Sequence, residues 1–326
     1  MSYPKFKNKK PETEEDQLTA EFLSCIDTEG VTSGRVPMGA LGARIYEDGG
    51  DERFEEVRTS ETYTISRESR FITIDKAEGA LEGIETGHIY LLGASQEEAM
   101  AFTKAAPNLK SCSVIDIAAP EAKKVAQAVE NTTSVHTQAH IMDYSKTLLP
   151  ETNAEASVVL YPSSNVGNTR GFYGGSPENN PYLLDQFTKL RARADHLVVV
   201  YDTERNPQNL TRIYGGEKVE DFVKGVFETA KTRLELDGLN LNALRLDSFW
   251  HEPSSAEIHS VISDEDMPLK LNGEELMIRD QQRMFPVHSY KFTPEQMEAC
   301  LFKTRWLLRS TQANDSTIVM QTYDAF

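Results

Sequence analysis

Three apolar stretches of this sequence each end in residue types that can bind a nucleoside. HIYLL is followed by glycine, SCSVI by an aspartate, and TSVHTQAHI, after one methionine, by an Asp-Tyr pair. A glycine lets backbone approach a ligand, and the helix that follows offers its positive N-terminus. A carboxylate can accept hydrogen bonds from a ribose diol, and an acid beside an aromatic ring can bind and stack an adenine. We therefore predict that an adenosine-like cofactor is bound by Gly93, Ser95, Asp116, Asp143 and Tyr144.

Other nucleotide sites are less well supported by the same positions. No G-x-G-x-x-G fingerprint follows the first apolar run, and the chain has no P-loop sequence. Phosphate transfer is therefore disfavoured, and a nucleotide-dependent oxidoreductase is only the weaker alternative. The histidines at 251, 259 and 288 lack a metal-ligand spacing, so we predict no metal site.

These residues meet only if the apolar runs are neighbouring parallel strands. Helical patterns separate most of the runs, and this arrangement is typical of a parallel sheet with right-handed crossovers. Ligands bind outside the carboxyl ends of the strands in such sheets. The predicted strands are residues 88–93, 111–118, 133–141, 156–162 and 196–203, and the sheet is completed by two strands near the C-terminus.

A different pattern separates the fifth strand from the last two. The long amphipathic helix at 219–236 is followed by alternating segments, and Asn272-Gly273 predicts a hairpin turn. We predict an α/β protein with a Rossmann-like sheet of the class I methyltransferase type and a second, smaller α+β lobe that binds substrate. The predicted parts are a mobile tail at 1–17, a lobe at 18–60 plus 215–300, and a core at 61–214 plus 301–326.

Composition limits the partners of this chain. Its 326 residues carry a net charge of −17, which disfavours nucleic acid and anionic membranes as partners. The three cysteines form no disulfide or zinc pattern, and the first residues do not resemble a signal peptide. We expect a cytoplasmic protein, and a monomer is favoured.

Several segments resemble the histidine-specific S-adenosylmethionine-dependent methyltransferases. That family includes the histidine Nα-methyltransferase of ergothioneine synthesis and the fungal dimethylallyltryptophan N-methyltransferases. The resemblance extends from about Tyr46 to Phe292, and its most specific elements are SSNVGN and SYKFT. The segments that carry it are YEDGGDERFEEVRTSETYTISRES at 46–69, SSNVGN at 163–168, LTRIYGG at 210–216, FWH at 249–251, AEIHSVI at 256–262 and SYKFTPE at 289–295.

The resemblance implies S-adenosylmethionine as the cofactor and assigns roles to individual residues. Tyr63, Asn168 and Tyr214 match the residues that hold the amine and carboxylate of the substrate amino acid. Tyr46 matches a further tyrosine of that cavity, and Ser289 a serine that faces the substrate side chain. The cofactor residues of the family match Asp116 and the Asp143-Tyr144 pair.

The chain departs from the family pattern at two places. The family's first strand ends E-L-G-x-G with a lysine further on, whereas this chain has LLGAS and places Ala99 at the lysine position. Members selective for histidine carry a glutamate where this chain has Val287, and a methionine where it has Ile258. An imidazole N–H buried there without a partner costs about 1–3 kcal/mol, so an apolar or aromatic side chain fits better than histidine.

The sequence therefore predicts an S-adenosylmethionine-dependent N-methyltransferase that acts on the α-amine of a tryptophan-like amino acid, as in secondary metabolism. Two alternatives remain open. One is a methyltransferase of the same fold that acts on another small metabolite. The other is a ligand-binding homologue without catalysis, which the LLGAS sequence would mark.

Overall fold

The computed structural model describes residues 13–26, 37–46, 48–106 and 108–326. Its α-helices are α1 (Glu14–Ile26), α2 (Gly50–Arg58), α3 (Ile65–Asp75), α4 (Ala77–Ala80), α5 (Gln96–Ala105), α6 (Ala119–Thr133), α7 (Pro181–Arg191), α8 (Pro207–Tyr214), α9 (Glu217–Arg233) and α10 (Pro294–Lys303). Its strands are β1 (Pro37–Met38), β2 (His88–Leu92), β3 (Ser111–Asp116), β4 (His136–Ile141), β5 (Ser157–Tyr161), β6 (Gly171–Phe172), β7 (His196–Asp202), β8 (Leu244–His251), β9 (Ala256–Ser263), β10 (Met267–Leu271), β11 (Glu274–Ile278), β12 (Arg283–Tyr290), β13 (Trp306–Ala313) and β14 (Ile318–Ala325).

The chain divides into two compact units. The sheet unit contains Tyr63–Thr169, Ser176–Arg205 and Tyr290–Phe326. The lobe unit contains the described residues through Thr62, together with Arg170–Gly175 and Asn206–Ser289.

A seven-stranded sheet forms the centre of the sheet unit, in the order β13-β14-β7-β5-β2-β3-β4. The five strands predicted from the apolar runs are parallel. Every residue of β2 and β5 is buried, as expected for strands covered on both faces. The chain leaves β2 towards β3 and β4, and then returns to β5 on the other side of β2. The strand order therefore reverses between β2 and β5, and this reversal is where open α/β sheets bind ligands.

The predicted final hairpin closes this sheet. Strand β14 runs antiparallel to both β13 and β7. Trp306, at the start of β13, is fully buried, and its indole N–H donates to the carbonyl oxygen of Phe187 at 3.2 Å. A buried indole needs such an acceptor, so this bond stabilises the packing of the hairpin against α7.

Local sequence signals explain where the helices of the sheet unit begin. Ser95 and Glu98 form a capping box at α5, which confirms Ser95 as the predicted N-cap. Thr293 and Gln296 form the same motif at α10. Helix α7 begins with a proline after an asparagine cap, Asn180, whose side chain accepts from the N–H of Tyr182.

The lobe unit is built around a three-stranded sheet in the order β12-β9-β8. Helices α8 and α9 pack against β8, and α9 also packs against α1 and α2. Asn272 and Gly273 have φ angles of 51° and 81° and join the antiparallel strands β10 and β11. This geometry confirms the predicted hairpin turn.

Three segments lie in a different unit from the one that the sequence indicated. Helix α8 belongs to the lobe unit because it packs on β8, and residues 170–175 belong there because β6 pairs with β1. Helix α10 belongs to the sheet unit because it packs on β13 and α7.

The predicted tail at 1–17 is corrected at its C-terminal end. Residues 1–12 lie outside the described residues, but Glu14 begins α1. Thr13 precedes this helix, and its hydroxyl accepts from the N–H of Asp16, whose carboxylate accepts from the N–H of Thr13. This reciprocal cap fixes the first turn of α1.

Three findings concern membrane-spanning helices, metal-binding clusters and cysteines. In the part of the chain that the structure describes, no helix combines the length and apolar character that crossing a bilayer requires. The same residues contain no cluster of three or more acidic, histidine or cysteine side chains suited to a metal ion. Cys25, Cys112 and Cys300 are buried free thiols.

His88, at the start of β2, makes the stability of the sheet unit depend on pH. Burial and, to a smaller extent, the neighbouring His140 lower the pKa of His88 from 6.5 to about 4. As the pH falls from 6.5 towards 4, His88 is therefore protonated in the unfolded chain but stays neutral in the folded chain. We predict that the free energy of unfolding decreases by up to about 2 kcal/mol between pH 7 and pH 5 through this residue.

Urea denaturation of wild type and His88→Asn at both pH values measures this contribution. The loss of stability on acidification should be smaller in the variant by about that amount. Equal losses in the two proteins would show that His88 is not responsible.

Candidate functional site

The turn after β2 is shaped for the close approach of a ligand. Gly93 has a φ of 58°, a left-handed conformation that side chains rarely adopt. A Cβ placed on Gly93 would lie 3.1 Å from Asn165 Nδ2, 3.6 Å from Tyr144 Oη and 4.0 Å from Asp116 Oδ2. The turns after β2, β3, β4 and β5 therefore converge on one point of the sheet edge.

The two predicted carboxylates are held by their own turns. Asp116 Oδ1 accepts from the N–H of Ala118 at 2.8 Å, and Asp116 Oδ2 is the oxygen that faces Gly93. Asp143 Oδ1 accepts from the N–H of Ser145 at 3.0 Å, and Lys146 Nζ lies 3.1 Å from Asp143 Oδ2. Both side chains are half-buried, so each is oriented while remaining accessible.

Tyr144 is positioned by a second tyrosine. Its ring meets the ring of Tyr161 edge-on, with 5.5 Å between centroids. Burial raises the pKa of Tyr161 to about 12, and the Tyr161 hydroxyl accepts from Gln186 Nε2 at 3.0 Å. Tyr161 is therefore a neutral, fixed support, and it leaves Tyr144 Oη beside the Gly93 turn.

Ser95 and Glu98 connect the turns after β2 and β5. Glu98 is fully buried, and its carboxylate accepts from the N–H of Ser95 at 2.9 Å. The hydroxyl of Ser163 donates to the same carboxylate at 3.0 Å. Burial raises the pKa of Glu98 above its usual range, and hydrogen bonds from Ser95 and Ser163 oppose this shift. One carboxylate thus ties together the two turns that flank the reversal of strand order.

The turn after β5 has an unusual backbone. Ser163 and Ser164 have φ angles of 62° and 57°, and a 3₁₀ helix over Asn165–Asn168 follows them. Consecutive left-handed residues other than glycine are costly, and such strain persists where neighbouring groups impose it. The Glu98 carboxylate is one such group. Asn168 ends this turn and is half-buried, and Tyr63 is half-buried just before α3.

The residues around Gly93 suit an adenosine-bearing cofactor. A side chain at position 93 would fill the space through which a ligand can approach the backbone of this turn. Asp116 offers acceptor oxygens, and Tyr144 offers a ring and a hydroxyl. The prediction that Asp116 binds the ribose and the Asp143-Tyr144 pair the adenine stays a prediction, and the geometry is compatible with it. Ser95 lies in the same turn, and both its main-chain N–H and its side chain are engaged with Glu98.

Three predicted substrate residues share one face of the lobe sheet. Phe249 pairs directly with Ile258 across β8 and β9, and Asp247 pairs with Ser260. Arg283 of β12 donates to Ser260 Oγ at 2.7 Å, which places Arg283 on that face. Because side chains alternate along a strand, Phe285, Val287 and Ser289 lie on the same face as Arg283. We call this side of the sheet the Ile258 face.

The other predicted lobe residues lie elsewhere in that unit. The ring of Tyr214 packs against His259 with 4.6 Å between centroids, and alternation directs His259 away from the Ile258 face. Tyr46 packs against Phe54 and Phe222, at 5.3 and 5.7 Å. The structure therefore groups Ile258, Val287 and Ser289, but it does not group the rings of Tyr46 and Tyr214 with them.

His288 does not share a face with Val287, its neighbour in β12. It is directed to the opposite side of the strand, where a Cβ on Gly39 would lie 2.6 Å from His288 Nδ1. The His288 side chain is therefore directed away from the Ile258 face, on which Val287 lies.

Comparison with known proteins identifies the family. The family model for histidine-specific, SAM-dependent methyltransferases matches residues 42–322. The chain belongs to that family. It is therefore a SAM-dependent methyltransferase with a class I, Rossmann-like fold, and S-adenosylmethionine is its cofactor. No protein in the curated collection matches it in sequence.

Solved structures of other methyltransferases are similar at low identity. A magnesium protoporphyrin IX methyltransferase from Synechocystis, solved with S-adenosylhomocysteine, is 8% identical, with a TM-score of 0.46 over 87% of this chain and 98% of that one. A methyltransferase from Clostridium acetobutylicum is 9% identical, with a TM-score of 0.43 over 87% of this chain and 97% of that one. Mitomycin 7-O-methyltransferase is 10% identical, with a TM-score of 0.43 over 95% of this chain and 67% of that one. The identification rests on the family model.

The LLGAS turn has a buried setting. Leu91 and Ala99, two of the positions at which this sequence departs from the resemblance, are both fully buried.

Glu98 and Asn165 are residues of this methyltransferase that the sequence reasoning missed. The Ser95-x-x-Glu98 spacing is the sequence signal of a capping box and indicates Glu98. No comparable local signal indicates that Asn165 faces Gly93, because the two belong to turns that only the sheet brings together.

We predict that Glu98→Ala weakens S-adenosylhomocysteine binding by about tenfold. The substitution leaves the N–H of Ser95 and the hydroxyl of Ser163 without their acceptor, at a cost of about 1–3 kcal/mol. Isothermal titration calorimetry on the folded variant measures the affinity, and thermal denaturation reports any loss of stability.

The matched control is Glu97→Ala. Glu97 is the exposed neighbour of Glu98 in the first turn of α5. The affinity of Glu97→Ala for S-adenosylhomocysteine should equal that of wild type. An unchanged affinity in Glu98→Ala would contradict the role of Glu98 in holding the two turns.

Proposed function

We propose that this methyltransferase transfers a methyl group to the α-amine of an amino acid with an apolar or aromatic, tryptophan-like side chain. The observation that carries the proposal is the turn over 163–168. Asn168 is the last residue of the 3₁₀ helix in this turn, and Asn165 of the same helix has its Nδ2 3.1 Å from where a Cβ on Gly93 would lie. The family resemblance gives an asparagine at this position the role of binding the substrate amine.

In this proposal the side chains of the sheet unit position the substrate amine, and no strong base is needed to deprotonate it. Bound S-adenosylmethionine supplies an electrophilic methyl group, so the amine needs a free lone pair and a fixed direction. An α-amino group has a pKa of about 8 in model peptides, and a usable fraction is neutral near pH 7. The side-chain oxygen of Asn168 accepts a hydrogen bond from the amine and orients it. Tyr63 has the role of holding the head group.

The lobe residues have separate roles in the proposal. The resemblance also gives substrate-binding roles to Tyr214 and Tyr46, whose rings the structure does not group with the Ile258 face. Ser289, Val287 and Ile258 contact the side chain of the substrate. Ile258 and Val287 are buried and carry no polar group, which disfavours an imidazole on the face that they share. The proposal also includes a monomeric state and a cytoplasmic location.

An amino-acid panel with labelled S-adenosylmethionine, analysed by mass spectrometry, tests the proposed reaction. We expect methylation at the α-nitrogen of aromatic amino acids. Asn168→Ala should lower kcat at least a hundredfold while the affinity for S-adenosylhomocysteine stays the same, because positioning of the amine is lost.

The matched control is Asn179→Ala, an exposed asparagine of the same unit, which should keep wild-type turnover. Unchanged turnover in Asn168→Ala would refute the assignment. If wild type binds the cofactor but methylates no amino acid, a different small metabolite is the substrate. If wild type does not bind S-adenosylhomocysteine at all, the LLGAS turn has lost its function.

We predict that Val287→Glu shifts selectivity towards histidine. A carboxylate at this position gives the imidazole N–H an acceptor and is worth about 1–3 kcal/mol, or about tenfold in relative kcat/KM for histidine over tryptophan. Competition between the two amino acids, analysed by mass spectrometry, measures the ratio.

Val287→Gln is the control, because it has the same length without the charge, and it should shift the ratio less. Thermal denaturation identifies variants that a buried polar group has unfolded. A shift of Val287→Glu towards tryptophan would contradict the side-chain contact assigned to Val287.

A further inference from the structure

A cavity of about 630 Å³ opens on the Ile258 face of the lobe sheet. Three rings line it, those of Tyr173, Phe249 and Phe285, and Asp247 and Arg283 lie beside them. Tyr173 packs on Phe285 at 5.4 Å and therefore borders the same face. The volume is in the range that small-molecule sites in proteins occupy.

The rings of this cavity are neighbours, in the lobe sheet, of the residues proposed to contact the substrate side chain. Phe249 is the direct cross-strand partner of Ile258, and side chains in such pairs are about 5 Å apart. Phe285 precedes Val287 by two residues on the same face, at a spacing of about 7 Å. A side chain that passes Ile258 and Val287 therefore meets the rings of Phe249 and Phe285 next.

The charges in the cavity are compensated. Arg283 forms an ion pair with Asp247, and its guanidinium carbon also lies 5.1 Å from the centre of the Phe249 ring. The carboxylate of Asp247 is therefore not available to bind a cationic substrate side chain. The guanidinium of Arg283 is likewise not available to bind an anionic one. Aromatic walls and a neutralised ion pair suit an uncharged ring, which gains from stacking and edge contacts.

We infer that this cavity binds the aromatic ring of the amino-acid substrate, and that Phe249 and Phe285 determine specificity for neutral aromatic side chains. The inference rests on the proposed function. It extends the contact surface from Ile258 and Val287 to Phe249 and Phe285, to which the resemblance gives no role. It also predicts which substrates are rejected, namely those with charged side chains.

Phe249→Leu tests the inference, since Phe249 is half-buried and leucine keeps most of its apolar volume. KM for aromatic amino acids should rise about 3–10-fold, with kcat nearly unchanged, because ring contacts are lost in both the bound and the reacting state. KM for leucine and methionine as substrates should change less than twofold. An equal rise for aromatic and aliphatic substrates would overturn the inference.

Trp250→Leu is the matched control. Trp250 follows Phe249 in β8 and points to the opposite face of the sheet. This variant should keep the wild-type ratio of KM values. If both substitutions raise KM for aromatic substrates to the same extent, the effect is a general loss of strand packing and the inference fails.

Asp247→Asn tests the role of the ion pair. Removal of the carboxylate leaves the charge of Arg283 uncompensated, so amino acids with acidic side chains should become better substrates, by about tenfold in kcat/KM. An unchanged preference would contradict the neutral character assigned to the cavity.

The same experiments separate this inference from the proposed function. If wild type methylates no amino acid although it binds S-adenosylhomocysteine, the proposed function has failed. If wild type methylates aromatic amino acids while Phe249→Leu leaves every KM ratio unchanged, the proposed function stands and only the assignment of the cavity fails.

Discussion

The reversal of strand order between β2 and β5 is the constraint on which the cofactor site depends. Two parallel strands that send the chain in opposite directions leave a crevice at their carboxyl ends, and the turns there cannot be covered by a crossover helix. In this chain both turns use left-handed backbone, at Gly93 and at Ser163-Ser164. The buried carboxylate of Glu98 holds the two turns together through Ser95 and Ser163. The position of Asn168 follows from this arrangement, because its 3₁₀ helix begins directly after Ser164.

Buried charge is used sparingly in the sheet unit, and it occurs where the backbone changes direction. Lys291 and Asp202 form an ion pair at 2.6 Å, and each side chain is only 1% exposed. Asp202 ends β7 and also accepts from the hydroxyl of Thr317. A buried pair of this kind fixes one arrangement even where it adds little to stability. The lysine of the SYKFT element therefore has a structural role. Its ion pair with Asp202 anchors Lys291 in the sheet unit, two residues after Ser289, the last residue of the lobe unit.

Strand alternation decides the chemistry of the lobe unit. A period of two separates Ile258, Val287 and Ser289 on one face from His259 and His288 on the other. The same rule joins Phe249 and Phe285 to the apolar face and thereby links the proposed side-chain contacts to an aromatic cavity. Histidines that are adjacent to these positions in the sequence are consequently remote from them in the structure.

The sequence by itself determined the elements whose signals are local. Continuous apolar runs identified the five parallel strands, the Ser95 cap and the Asn272-Gly273 turn were readable from short motifs, and residues at strand ends indicated Gly93, Asp116 and Tyr144 as neighbours. Helix α3 was not predicted, because its buried face carries serine and threonine beside two isoleucines. The bounds of the two units differed where α8 and α10 pack on partners that the sequence does not indicate. Only the tertiary structure placed Asn165 against Gly93, Glu98 between two turns and Phe249 beside Ile258. These contacts join residues far apart in the chain, and their geometry depends on strand register and sheet order, which no local pattern of residues encodes.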